Sequence, residues 1–161
     1  MAADVKMLIS PREVRELAFA GRVGTGAVCV DEAVIISAQR KFIEPVVGSL
    51  YKRLENGDLP ELLDGYIKPA LAMYVKLQVL PSLAVSMGSM GVVKTKGNNM
   101  VPAGVDDIYL VKKQVRSDAR ALIWRAIDHI EANPRYEAGD YRDEKETSTG
   151  WGDSGERPET I

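Results

Sequence analysis

Apolar residues between Tyr66 and Met87 recur at steps of three and four: Tyr66, Ile67, Ala70, Leu71, Tyr74, Leu77, Leu80, Ala84 and Met87. That spacing predicts a long helix with one face that must be buried. Pro69 and Pro81 fall inside the pattern. Each lacks a backbone donor and crowds the carbonyl four residues earlier, so a helix start or a kink is expected at each. Gly88 and Gly91 should stop the helix, and Gly91 to Lys96 reads as a short strand entering the polar turn Gly97-Asn98-Asn99. The longest buried helix thus hands over to a protruding β-hairpin or extended loop.

The other clear pattern follows Asp106-Asp107. Ile108, Val111, Val115, Ala119, Leu122, Ala126 and Ile130 predict an amphipathic helix that ends at Asn133-Pro134 and packs antiparallel on the central one. Lys112, Lys113, Arg116, Arg120 and Arg125 are assigned to its outer side. Upstream, Ser10-Pro11-Arg12-Glu13 has the form of a capping box with proline at the first helical position, opening a short helix with Val14, Leu17 and Ala18 on one side. A helix from Asp31 should place Ala33, Val34, Ile35, Ile36, Ala38 and Phe42 inward, leave Gln39, Arg40 and Lys41 wet, and end at Pro45. Val46 to Leu54 resumes as helix and closes at Asn56-Gly57; Asp58-Leu59-Pro60-Glu61 reopens it. The fold class is mainly α: a helical bundle with a protruding hairpin or loop.

Composition sharpens this picture at the C-terminus. The net charge is only -2 over 161 residues, but it is divided unevenly. Asp140, Asp143, Glu144, Glu146, Asp153, Glu156 and Glu159 against Arg142, Lys145 and Arg157 give residues 139–161 a net charge of -4, leaving +2 for residues 1–138. Rich in Gly, Ser and Thr, the tail cannot bury enough surface to fold alone, so the chain divides into a helical domain over 1–138 and an extended acidic tail over 139–161. The uncharged run Leu77 to Val93 contains Gln78, Pro81 and several serines, so no membrane span is expected. MAADVKMLIS lacks a basic start followed by a long apolar run, and no signal peptide is expected. A single cysteine, Cys29, excludes an internal disulfide and fits a reducing compartment.

Candidate chemistry is sparse. His129 stands without a second histidine or a nucleophile motif, which makes it a surface or interface residue rather than a base. Cys29 has no basic cluster beside it and reads as a small packed residue. Asp31-Glu32 and Asp106-Asp107 sit where helix N-termini favour negative charge. Gly21 to Gly26 lacks the Gly-Lys-Ser/Thr ending of a phosphate loop and follows a helix where that fingerprint needs a strand. No catalytic residue, cofactor site or metal site is assigned, and an enzyme is not expected. Trp151 is different: a large aromatic in a glycine-rich tail has no core of its own, and aromatics are favoured interface anchors. The cations Lys112, Lys113, Arg116 and Arg120 are either a solvated face or a contact for an acidic partner. A balanced charge argues against nucleic acid as the main ligand.

The segments Ala38 to Tyr51 (AQRKFIEPVVGSLY), Tyr66 to Ala72 (YIKPALA) and Leu80-Pro81 to Gly91-Val92-Val93 resemble small helical proteins of tailed phages and prophages, especially of Bacteroidales, that look like head-to-tail connector (adaptor, head-completion) proteins. The resemblance spans roughly residues 8–133. It implies a virion neck protein, made in the host cytoplasm, that assembles as a ring of twelve below the portal, extends the DNA channel and supports the tail. Its implied partners are further copies, the portal and tail or neck proteins, with DNA as passing cargo and no membrane. In that setting Val92, Val93, Lys94, Lys96 and Met100 are the expected protein contacts, and Lys112, Lys113, Arg116 and Arg120 face either the DNA channel or an acidic partner; the long acidic tail departs from the connector pattern, so Trp151 is expected at an interface on its residue type alone. The alternative is a small helical cytoplasmic module for protein binding or regulation.

Overall fold

The computed structural model describes residues 5–19, 29–86, 93–96, 99–102 and 105–136, with side chains for 5–19, 29–82 and 108–136. Helices dominate: α1 (Pro11–Ala18), α2 (Glu32–Ala38), α3 (Glu44–Val47), α4 (Leu50–Asn56), α5 (Pro60–Leu62), α6 (Lys68–Ser86) and α7 (Val105–Ala132), followed by a 3-10 turn at Pro134–Tyr136. Between α6 and α7, Val93–Lys96 (β1) pairs antiparallel with Asn99–Pro102 (β2), with Val93 opposite Pro102 and Lys96 opposite Asn99. Of the expected projection over 92–101, residues 92, 97 and 98 lie outside the described residues, as does the tail over 139–161.

The central helix is α6, and it is buried on almost every side rather than along one face. Ala70, Leu71, Ala72, Tyr74, Val75, Leu77 and Val79 are all in the core. A helix that is apolar all round belongs inside a bundle, and α1, α2 and α7 each pack against α6. Phe42 stacks on Tyr74 with ring centroids 4.4 Å apart and planes 7° from parallel. Burial pushes the Tyr74 phenol far above its ordinary pKa, so it is a neutral hydroxyl at any working pH.

Pro45 does not end its helix as expected, and Pro69, expected at a helix start or a kink, stands at the second residue of α6. Immediately before Pro45, residues Gln39–Ile43 form a π-helical turn in which the Glu44 N–H bonds the Gln39 carbonyl five residues back. Immediately before Pro69, Leu63–Ile67 does the same, with the Lys68 N–H on the Leu63 carbonyl. A proline removes one helical donor and crowds the carbonyl four residues earlier; widening the preceding turn relieves that clash without breaking the helix. The chain therefore runs through Pro45 to Val47 and through Pro69 into α6, which also continues past Pro81 to Ser86. The α4 helix does stop at Gly57, whose φ of 81° is left-handed. The Asp58 N–H reaches back to Arg53 O and the Gly57 N–H to Leu54 O, which satisfies the last carbonyls.

Gln39 stands four residues after buried Ile35, and so on the inward face of α2. Instead of facing water it is fully buried. Its Oε1 accepts from the Leu8 N–H at 2.7 Å, and its Nε2 donates to Lys6 O at 3.2 Å and to the Tyr51 hydroxyl at 3.0 Å. The amide thereby ties the extended segment ahead of α1 to the bundle. Leu17, expected beside Val14 and Ala18 in the core, is about half exposed, and Cys29 is exposed rather than packed.

The α1 capping box forms as its residues require: the Glu13 N–H bonds Ser10 Oγ at 3.2 Å, and Glu13 Oε2 accepts from the Ser10 N–H at 2.9 Å. Glu13 also accepts from Lys68 Nζ at 2.7 Å, and Asp64 does so at 2.8 Å. The Lys68 ammonium, with the Ser10 amide, holds Glu13 down to about 2 from 4.5. Burial alone would lower Lys68, but its bonds to Asp64 and Glu13 outweigh this and raise it. A carboxyl with a depressed folded-state pKa stabilises the fold above its unfolded value, and that contribution drains as pH falls towards the folded value. Stability should therefore decline between pH 4.5 and about 2 in part through Glu13. In Lys68→Met this acid decline should be shallower by urea titration; an unchanged slope would show that Lys68 does not hold the Glu13 carboxylate.

Candidate interaction surface

The two ends of α7 are treated differently by the fold. At its C-terminal end, the π-helical turn Leu63–Ile67 delivers Tyr66 onto His129, with centroids 4.0 Å apart and planes 14° from parallel. The Arg125 guanidinium lies 5.1 Å from the centroid of the Tyr66 ring, within cation–π range. His129 Nε2 is 3.3 Å from the Tyr136 hydroxyl, and Asn133 Nδ2 donates to His129 O at 2.9 Å. Arg135 donates to the Tyr136 hydroxyl at 3.0 Å and to Glu61 at 2.5 Å, and this bond holds Glu61 below the usual carboxylate range. Tyr136 is buried. The sole histidine is therefore half-buried, packed between aromatic rings of its own chain, and serves to lock α7 to the turn before α6.

The N-terminal turns of α7 have no such cover among the described residues. Tyr109 is 66% exposed, Leu110 61% and Val111 48%. The core face of α7 is made by Val115, Ala119, Ile123, Ala126, Ile127 and Ile130. Val111, expected inside, is outside, and Ile123 and Ile127 are buried instead. Followed back along the helix by steps of four and three, the inward stripe Ala119, Val115, Lys112 and Ile108 goes from buried to half-buried. Lys112 is therefore not on the outer side. At about 100° per residue, Tyr109, Lys113, Arg116 and Arg120 fall on one neighbouring stripe. Lys113 and Arg116 are exposed and Arg120 half-buried. None of Lys112, Lys113 and Arg116 has an ion-pair partner among the described residues. Asp118 lies off this stripe, where its Oδ1 accepts from Gln114 Nε2 at 2.8 Å.

Of the residues singled out from the sequence, the structure brings Lys112, Lys113, Arg116 and Arg120 onto about two and a half turns of α7. Val93, Lys94, Lys96 and Met100 lie on the paired strands, Lys94 opposite Val101 and Thr95 opposite Met100. Val92 and Trp151 lie outside the described residues. The exposed apolar trio Tyr109, Leu110 and Val111 was missed, although its signal is in the sequence. With Ile108 it forms a run of four apolar residues spread over about 300° of helix circumference, which no single buried face can cover. Among the described residues no group of three or more His, Cys, Asp or Glu could hold a metal ion, and no helix is long and apolar enough to cross a membrane.

Fold and surface together define a mainly α-helical domain with one core and an uncovered apolar and basic helix end. The chain belongs to DUF6712, a family of unknown function, whose profile matches residues 29–146. No curated protein and no solved structure matches it.

Proposed function

We propose that this protein is a structural subunit of a phage neck. Copies close into a ring, of twelve on the connector pattern, between the portal and the tail, and DNA passes through the channel as cargo. The observation that carries the reading is the asymmetry of α7: one end is locked by Tyr66, His129 and Tyr136, while the other presents Tyr109, Leu110, Val111, Lys113 and Arg116 outward. A cyclic assembly of identical subunits needs a face that the subunit's own core leaves uncovered. Uncovered apolar side chains rimmed by charge are the form such a face takes. The connector resemblance of residues 38–51 and 66–72 supports the neck in particular; these segments hold the Gln39–Ile43 turn with Pro45, and Tyr66-Ile67 with Pro69. In this reading the chain performs no reaction, is a virion component made in the host cytoplasm, and projects residues 92–101 as a hairpin or loop towards a neighbour.

A density map of the neck of particles from the encoding phage tests the proposal. The helices of this chain should fit a ring directly below the portal. A complete neck built only from other chains would remove the proposal and leave a small helical protein-binding module in its place.

A further inference from the structure

The uncovered end of α7 needs an occupant, and the chain itself supplies one of matching chemistry. The stripe Tyr109, Lys113, Arg116 and Arg120 combines an aromatic with three cations, two of them exposed. Residues 139–161 carry a net charge of -4 and one tryptophan, Trp151. We propose that the acidic tail of a second copy docks along α7, with Trp151 against Tyr109 and Leu110 and with Asp153 and Glu156 on Lys113 and Arg120. This deepens the ring reading and rests on it only for the presence of a second copy.

Spacing supports the alignment. A polyproline II stretch advances about 3.1 Å per residue with three residues per turn, so Asp153 and Glu156 share a face and lie about 6 and about 16 Å beyond Trp151. A helix advances about 1.5 Å per residue, so Lys113 and Arg120 lie about 6 and about 16 Å beyond Tyr109. The two ladders match when tail and helix run in the same direction. Direction also decides between a chain's own tail and its neighbour's. The tail leaves from the C-terminal end of α7, beyond Tyr136. To reach its own Tyr109 it would travel back along the helix over about 35 Å. The fifteen residues from Tyr136 to Trp151 have a root-mean-square span of only about 20 Å as a flexible chain. Arriving that way, Asp153 and Glu156 would overshoot the helix N-terminus instead of lying along Lys113 and Arg120. A tail entering from a second molecule has neither constraint. The contact is heterologous, tail to helix, and so propagates from copy to copy around a ring.

The test uses the full chain with Trp151 replaced by the photo-cross-linker p-benzoylphenylalanine, mixed with an isotopically heavy wild-type chain and irradiated at low and high salt. Light-to-heavy cross-links mapping to residues 108–116 are expected, and they should fall at least fivefold in 0.5 M NaCl. Lys113→Glu with Arg120→Glu in the heavy chain should abolish them, and Asp153→Lys with Glu156→Lys in the light chain should restore them. Cross-links within one chain, cross-links elsewhere on the partner, or none at all would each overturn the docking. The neck map separates the two ideas: this chain in the ring without a cross-link to α7 sinks only the docking, whereas the cross-link without the chain in the neck sinks only the neck assignment.

Discussion

Replacing Gln39 with alanine should lower the free energy of unfolding by about 3 kcal/mol, a large fraction of the stability of an ordinary domain. Two effects add. Truncation leaves a cavity in a close-packed core. It also strands groups that Gln39 satisfies: the N–H of buried Leu8, the Lys6 carbonyl and the hydroxyl of buried Tyr51. A buried donor or acceptor without a partner costs about 1–3 kcal/mol. Gln39→Leu separates the terms, because it fills the volume but restores no hydrogen bond; it should still lose about 2 kcal/mol. Urea unfolding measures both, and amide exchange at Leu8 should quicken in both variants. Two variants as stable as the wild type, with Leu8 still protected, would mean that the amide does not clamp the N-terminal segment.

The second large effect concerns which face of α7 is the core. Ile127→Ala should cost about 3 kcal/mol, since Ile127 is buried beside Ala126 and Ile130 and its loss leaves a void. Val111→Ala should stay within about 0.5 kcal/mol, because Val111 stands half in water with little packing to lose. The sequence periodicity makes the opposite forecast for Val111. Equal losses at the two positions in urea unfolding would place the first turns of α7 inside the bundle and remove the uncovered surface altogether.

That comparison shows where the sequence was legible. Capping and stop signals act over three or four residues, so Ser10 with Glu13 and Asn56 with Gly57 were readable directly, and the structure forms both. The long helices were readable because their apolar steps persist over many turns. What failed was the assignment of faces. Periodicity gives a face only while the helix keeps its pitch and only where something covers it. At Gln39 neither condition fails: it stands four residues after buried Ile35, on the inward face of α2, and was set in water only because its side chain is polar. The beginning of α7 broke the second: Ile108, Val111 and Val115 keep the rhythm, but the bundle does not extend over Val111. The aromatic lock was beyond reach because Tyr66, His129 and Tyr136 are brought together by tertiary packing across the chain, with no local spacing to announce it.

The paired bulges also bear on how this chain is compared with others of its family. Each five-residue reach replaces a four-residue one, so each bulge holds one residue more than an uninterrupted coil and turns everything downstream by about 100°. A relative with neither Pro45 nor its bulge would keep the same buried positions only by being one residue shorter there, and likewise at Pro69. Alignments of such chains should carry single-residue gaps at these two places; forced ungapped, they would set core positions against surface ones from that point on.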